Sequence, residues 1–323
     1  MTRHLFLVLF GQFENNQYFC SMKKMSEHLS TLAAVALGLG VFCFWFFGYP
    51  YILTAREQSA LFIWDSAYLS DRLSMPWGWL SLLSTFVCQF FNHPLVGAML
   101  LAALAVALAA AVCWLWRLVT PRFPWSAKLL TAAVALFVTC WLPLHPSEGT
   151  DEEMAYDYLM RQGRWQQICE KAQQQPPQSL ACQNMVRLAM FQLGQLSEQA
   201  LFEGLTSSNK VLADRASAFI MSDVYMNMGM VNMSQRAAFE AMESIEDYNK
   251  SGRALKRLVE TSLITGQYEV CLKYISILEH TLYYHVWAQR IRHLAEHPEL
   301  VAEHPTYGRC RQMYQQTKDV FFY

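Results

Sequence analysis

Residues 255–274 read LKRLVETSLITGQYEVCLKY. Apolar residues recur at three- and four-residue steps up to Leu263, which is a helical pattern. Gly266 interrupts it, and a second helix-like run begins at Tyr268. A glycine at this place supplies the left-handed residue that ends a helix without a steric penalty. The same shape occurs around Gly163, Gly194 and Gly229, and the four glycines are 31, 35 and 37 residues apart. Helix, glycine turn and helix at about 34 residues is the tetratricopeptide period. The full consensus of that repeat is missing, so the pattern is TPR-like. No strand pattern competes with it, and the chain reads as all-α.

Stacked helical hairpins form a solenoid whose concave face binds peptides or partner helices. Met221–Met230 holds four methionines, which suit either a core or an adaptable binding surface. Lys256 and Arg257 lie on the first helix of the fourth hairpin and read as a solvated face or a ligand clamp.

The amino-terminal half has a different composition. The chain of 323 residues is 54% hydrophobic and 16% charged, with mean hydropathy +0.13. Only eight charges fall between residues 30 and 145, at Arg56, Glu57, Asp65, Asp71, Arg72, Arg117, Arg122 and Lys128. A bilayer-crossing helix needs about 20 apolar residues. Residues 29–54 and 95–116 carry no charge, and neither does the shorter 129–145. The ambiguous 77–92 reads as a fourth short span or as a re-entrant or interfacial segment. The division expected is an extension with a basic flank over 1–28, a transmembrane domain of three or four helices over 29–145, and a helical-repeat domain over 146–323. Lys23 and Lys24 before the first span, and Arg117, Arg122 and Lys128 before the third, favour three spans with the carboxy-terminal half outside. Four spans would leave that half inside.

Residues 56–73 follow the first span and mix charges with Leu61, Phe62, Trp64, Tyr68 and Leu69. They read as an interfacial amphipathic helix anchored by its aromatics. The sharper reading makes Glu57 or Asp65 a general base beside a lipid-linked substrate. Arg56 would then be a binding residue, as would Gln89, a polar group at apolar depth that otherwise serves interhelical hydrogen bonding.

Other chemistry has little support. Net charge is −1, so nothing points to nucleic acid. Nine cysteines show no C-x-x-C spacing, and a zinc site is not expected. Four of them, Cys169, Cys182, Cys271 and Cys310, leave room for one disulfide outside the cytoplasm. His293 and His297 have metal-ligand spacing on a helix, but Pro298 ends it and no third ligand is near beyond Glu296 or Glu299. No P-loop, dinucleotide fingerprint or nucleophile elbow occurs, and no cofactor is expected.

Several residues resemble an uncharacterised Bacteroidota family of multi-pass membrane proteins. They are Tyr49-Pro50-Tyr51, Arg56-Glu57-Gln58, Leu61-Phe62, Tyr68-Leu69, Gln89-Phe90-Phe91 with Pro94 and Gly97-Ala98. In the tail they are Ala237–Ala241, Leu255–Glu260, Lys273-Tyr274-Ile275 and Tyr283-Tyr284 with Trp287-Ala288. The resemblance spans roughly 40–100 and 150–290. It implies longer members with further spans between the two regions, a block this chain lacks. The front end also looks like membrane glycosyltransferases that use lipid-linked sugars, with Glu57 or Asp65 at the place of their outer-loop acid. The expectation is a multi-pass protein of a bacterial inner membrane, in contact with lipid, whose periplasmic repeats scaffold a protein or peptide partner. The alternative is a reduced relative of such a glycosyltransferase.

Overall fold

A computed structural model describes residues 30–119, 125–141, 149–205, 215–245 and 249–317. The amino-terminal extension over 1–28 lies outside the described residues, as do parts of the 117–128 connection. The described residues form helices joined by turns and irregular stretches, without a strand. The chain divides into two compact units: residues 1–48 with 98–145, and residues 49–97 with 146–323.

The first unit holds α1 (Ser30–Gly48), most of α5 (Pro94–Val119) and α6 (Trp125–Leu136, running into a π-helical turn, Phe137–Trp141). Two helices, Ser30–Gly48 and Pro94–Trp116, are long and apolar enough to cross a membrane, with mean hydropathies of 2.0 and 2.6. Their apolar stretches are only 11% and 22% buried, so a protein core does not account for that apolar surface. The apolar run of α6, Leu130–Cys140, is shorter. The expected three or four spans are therefore two candidate helices and one shorter apolar helix. α1 ends in a π-helical turn, Phe44–Gly48. The fully buried Trp45 there donates its indole N–H to the Thr139 carbonyl oxygen at 2.9 Å.

The second unit overturns the continuous helix expected over 56–73. α2 (Pro50–Glu57) stops at Glu57, residues 58–65 form a turn and an irregular stretch, and α3 (Ser66–Ser74) then begins. The reason lies in the side chains. Leu61, Phe62 and Ile63 are all buried, and three consecutive residues cannot share one helix face. Leu61 and Ile63 join the core of the helical repeats, with Val231, Leu255 and Val259. The Trp64 amide donates to the His280 carbonyl at 2.7 Å. Asp65 is the N-cap of α3, its carboxylate accepting from the Tyr68 amide at 3.1 Å. The domain boundary moves accordingly: residues 49–97 belong with the repeats. α4 (Gly78–Cys88), followed by a 3-10 turn (Gln89–Asn92), also lies in this unit. Eleven helical residues rise about 17 Å, well short of the ~30 Å hydrocarbon core, so α4 is not a fourth span.

Four helical hairpins follow among the described residues: α7 (Asp151–Arg161) with α8 (Trp165–Gln174), α9 (Leu180–Gln192) with α10 (Glu198–Gly204), α11 (Arg215–Asn227) with α12 (Val231–Glu243), and α13 (Gly252–Thr265) with α14 (Tyr268–Leu278). α15 (His285–Glu296) and α16 (Tyr307–Thr317) come next. The four glycines sit at the four turns with φ of 65°, 70°, 76° and 83°. Each is followed by the same hydrogen bond, from the next amide to a carbonyl five residues back: Arg164 to Leu159, Gln195 to Met190, Met230 to Tyr225 and Gln267 to Ser262. That bond satisfies a helix-end carbonyl and reverses the chain. Ser222 and Ser234 each donate to the other's carbonyl oxygen across α11 and α12, which draws the two backbones close. Cys169, Cys182 and Cys271 are buried free thiols and Cys310 is a half-buried one, so the disulfide expectation does not hold.

Candidate functional site

Hairpin register brings an acidic residue to the same place three times. Asp157, Asp223 and Glu260 each stand six positions before the turn glycine of their hairpin; the second hairpin has Leu188 there. Two arginines of α13 gather these acids. Arg253, 8% exposed, binds both oxygens of Asp157, at 2.7 and 2.9 Å, and also reaches Asp223. Its Nη1 donates to Gln58 Oε1 at 2.6 Å and its guanidinium stacks 5.4 Å from the Phe219 ring. Arg257, one turn later, binds Asp223 and donates to Glu260 at 2.7 Å, while the Tyr307 hydroxyl donates to Glu260 at 3.3 Å. Burial opposes ionisation of Asp223, but Arg253 and Arg257 outweigh it and hold the carboxyl well below the usual carboxylate range.

Glu57, at the end of α2, is 3% exposed and lies beside this cluster. Its Oε1 accepts from the Tyr284 hydroxyl at 3.3 Å, and its buried Oε2 accepts no hydrogen bond from a described protein group. Burial raises its pKa, and Arg161, Tyr284 and Arg253 do not offset that. Burial and Glu57 in turn push the Tyr284 hydroxyl far up. The folded chain thus holds a proton on Glu57 that the unfolded chain sheds near its ordinary 4.5. Its contribution to stability is full below that pH and is lost as pH rises through the raised folded value. Asp223 has the opposite sign: its contribution is present above 3.8 and lost as pH falls through its depressed value. Glu57→Gln is therefore expected to flatten the fall in stability above pH 4.5 and to leave the acid limb unchanged. Denaturation midpoints from pH 3 to 8 check this; a variant profile parallel to that of the parent would show that Glu57 does not titrate in this way.

Beside the cluster opens a cavity of about 390 Å³, lined by Arg161, Arg253, Lys256 and Arg257, by Asp223 and Glu260, and by Asn92, Tyr283, Tyr284 and Trp287. Four cations face two carboxylates. A wider groove of about 650 Å³ shares Lys256, Arg257, Glu260 and Trp287, and adds Phe191, Phe202, Met228, Arg309 and Met313. Lys256 sits 5.3 Å over the Trp287 ring at the junction. The buried Arg257 Nε meets no described acceptor. Such a cleft can hold an anionic group against the Lys256 and Arg257 side chains, with aromatic and methionine surface beside it.

Of the residues expected from sequence, Lys256 and Arg257 line this cleft, and Arg257 is a half-buried ion-pair member rather than part of a solvated face. Glu57 reaches the cavity wall through Tyr284 alone. Asp65 is spent as a helix cap. Arg56 is half-buried, and Gln89 is buried with an Nε2 that meets no described acceptor; neither lines the cleft. The sequence reading missed Asp157, Asp223, Arg253, Glu260 and Tyr284. Aligning the hairpins on their glycines and reading six positions back finds the three acids.

The profile described as "Family of unknown function (DUF6057)" matches residues 24–149 and 127–323. No curated protein and no solved structure matches the chain.

Proposed function

The chain belongs to that family of unknown function, and from this premise we propose a membrane-anchored binding protein. Its apolar helices hold it in a bilayer, and the cleft of its TPR-like hairpins takes a protein or peptide partner by an acidic group. The observation that carries this is the cleft itself, cation-rich and aromatic-walled, where Lys256, Arg257 and Trp287 join two cavities. Stacked hairpins present such faces to extended or helical ligands.

Beside the two candidate spans, this reading takes the shorter α6 with its π-helical turn, Trp125–Trp141, as a third crossing. Residues 49–97 and 146–323 form one unit, and one unit lies on one side of a membrane. The chain between them then crosses an even number of times, which α5 and α6 together supply. With Lys23 and Lys24 inside, the unit lies outside, the periplasm in a bacterial inner membrane. Impermeant thiol labelling of a cysteine placed at the exposed Gln166 tests the side, since Cys169, Cys182 and Cys271 are buried.

A second reading, a reduced glycosyltransferase relative, is favoured only by the buried Glu57, whose pKa burial raises. Its carboxyl does not line the cleft, and Glu57→Gln with unchanged cellular function would remove it.

The binding reading is tested with a photo-crosslinking amino acid at Gln192, which is exposed and lines the wider groove. A discrete crosslinked partner is expected in cells. Lys256→Glu with Arg309→Glu is expected to lower its yield by at least about tenfold, since charge-assisted hydrogen bonds contribute ~1.5–3 kcal/mol each. Crosslinking no stronger than from Gln166, outside the cleft, would sink the proposal.

A further inference from the structure

The turn between α3 and α4 carries an exposed apolar face that the cleft does not use. Residues 73–92 contain no Asp, Glu, Lys or Arg. Within them Leu73, Trp77, Trp79, Leu80 and Leu83 are exposed, Trp77 at 74% and Trp79 at 59%. On α4, Trp79, Leu80 and Leu83 share one face, while Gly78 and Thr85 are buried. Water-facing helices of soluble domains carry charge opposite their buried stripe; this one carries indole and leucine instead.

The backbone is strained at the same point. Trp77 has φ 59° and ψ 19°, and among the described residues it is the one non-glycine with positive φ. Gly78 beside it cannot be replaced without conflict, because a Cβ there would lie 1.8 Å from the Arg72 carbonyl oxygen. Arg72 is buried and donates to Asn249 at 2.7 Å, so α3 is fastened to the repeats and the turn is held in place. A rigid support thus holds Trp77 in a conformation that a bulky residue avoids.

We propose that this face, Trp77, Trp79, Leu80 and Leu83, lies in the headgroup–acyl boundary of the bilayer. The inference rests on reading α1 and α5 as spans. Residue 49 follows α1 directly and Pro94 opens α5, so both ends of this segment are tied to the membrane. Tryptophan is the residue enriched at that depth. The occupant is specified further by what is missing. With no cation in 73–92, and Arg72 turned to Asn249, attraction to anionic headgroups contributes nothing here. Insertion is apolar, and it is indifferent to lipid charge and to salt.

The full chain is reconstituted in phosphatidylcholine vesicles with or without bromine at carbons 6 and 7 of one acyl chain. The parent is compared with Trp77→Phe/Trp79→Phe. The emission lost in the variant is expected to be strongly quenched by shallow bromine and little by aqueous iodide, equally with or without anionic lipid. Emission that iodide quenches and bromine spares would overturn the proposal, because the face would then meet water. Emission shielded from both would also overturn it, because protein would then cover the face. Eight tryptophans remain in the variant, Trp45, Trp114 and Trp116 of the apolar helices among them, and their emission is the common background that the comparison subtracts. If alkaline carbonate extracts the chain and bromine quenches nothing in either form, the span reading itself fails.

Discussion

Replacing Arg253 with alanine is expected to destabilise the unit formed by residues 49–97 and 146–323 by about 3–5 kcal/mol, the usual cost of removing one member of a buried ion pair. All five of its N–H directions are engaged: Nε with Asp223, Nη1 with Gln58 and Asp157, Nη2 with Asp157 and Asp223. Without the guanidinium, Asp223 still has Arg257, so Asp157 is the carboxylate left buried and stranded. Asp157→Asn in the Arg253→Ala background is therefore expected to recover part of the loss. Arg253→Lys keeps the charge but has no planar fork for the bidentate contact, so it should fall between parent and alanine variant. Urea denaturation of the full chain in detergent micelles measures the series. Because Arg253 also holds Gln58, cleavage by protease within 58–65 should accelerate in step. A loss below about 1 kcal/mol would mean that water satisfies the cluster and that Arg253 does not tie the segment to the repeats.

The sequence made the hairpins legible because a turn glycine is a local requirement. Each of Gly163, Gly194, Gly229 and Gly266 needs positive φ at its own position, whatever surrounds it. The two long apolar helices, Ser30–Gly48 and Pro94–Trp116, were legible for a similar reason, since length and apolarity are properties of one segment; the third and fourth expected spans have no described helix of that length. The break at Gln58 was not legible. Helical spacing over 56–73 is real, but Leu61 and Ile63 pack against residues some 170 to 240 positions away, and that burial outweighs a local preference. The site failed for the same kind of reason, and only in part. Lys256 and Arg257 stood out as a charged pair, and both line the cleft. Asp157 and Asp223 carry no local signal in the sequence; only the register of the hairpins brings them to Arg253.

Phe219→Ala is the second large effect, also about 3–5 kcal/mol, because it removes a ring from a packed core. Phe219 is 2% exposed and sits among Ala218, Ala241 and Ala254, whose small side chains cannot move in to fill the space. The ring also forms the apolar floor under the Arg253 guanidinium, 5.4 Å away. A desolvated cation–π contact of this kind contributes up to about 2 kcal/mol. Opening a cavity there admits water to a cluster whose ion pairs depend on its exclusion. The two sites are consequently coupled. The double variant Phe219→Ala/Arg253→Ala is expected to lose less than the sum of the single losses, by about 0.5–3 kcal/mol. Denaturation of the four proteins closes this cycle. Strict additivity would show that the ring contributes through its apolar volume alone, and that the arginine cluster keeps its strength without a floor.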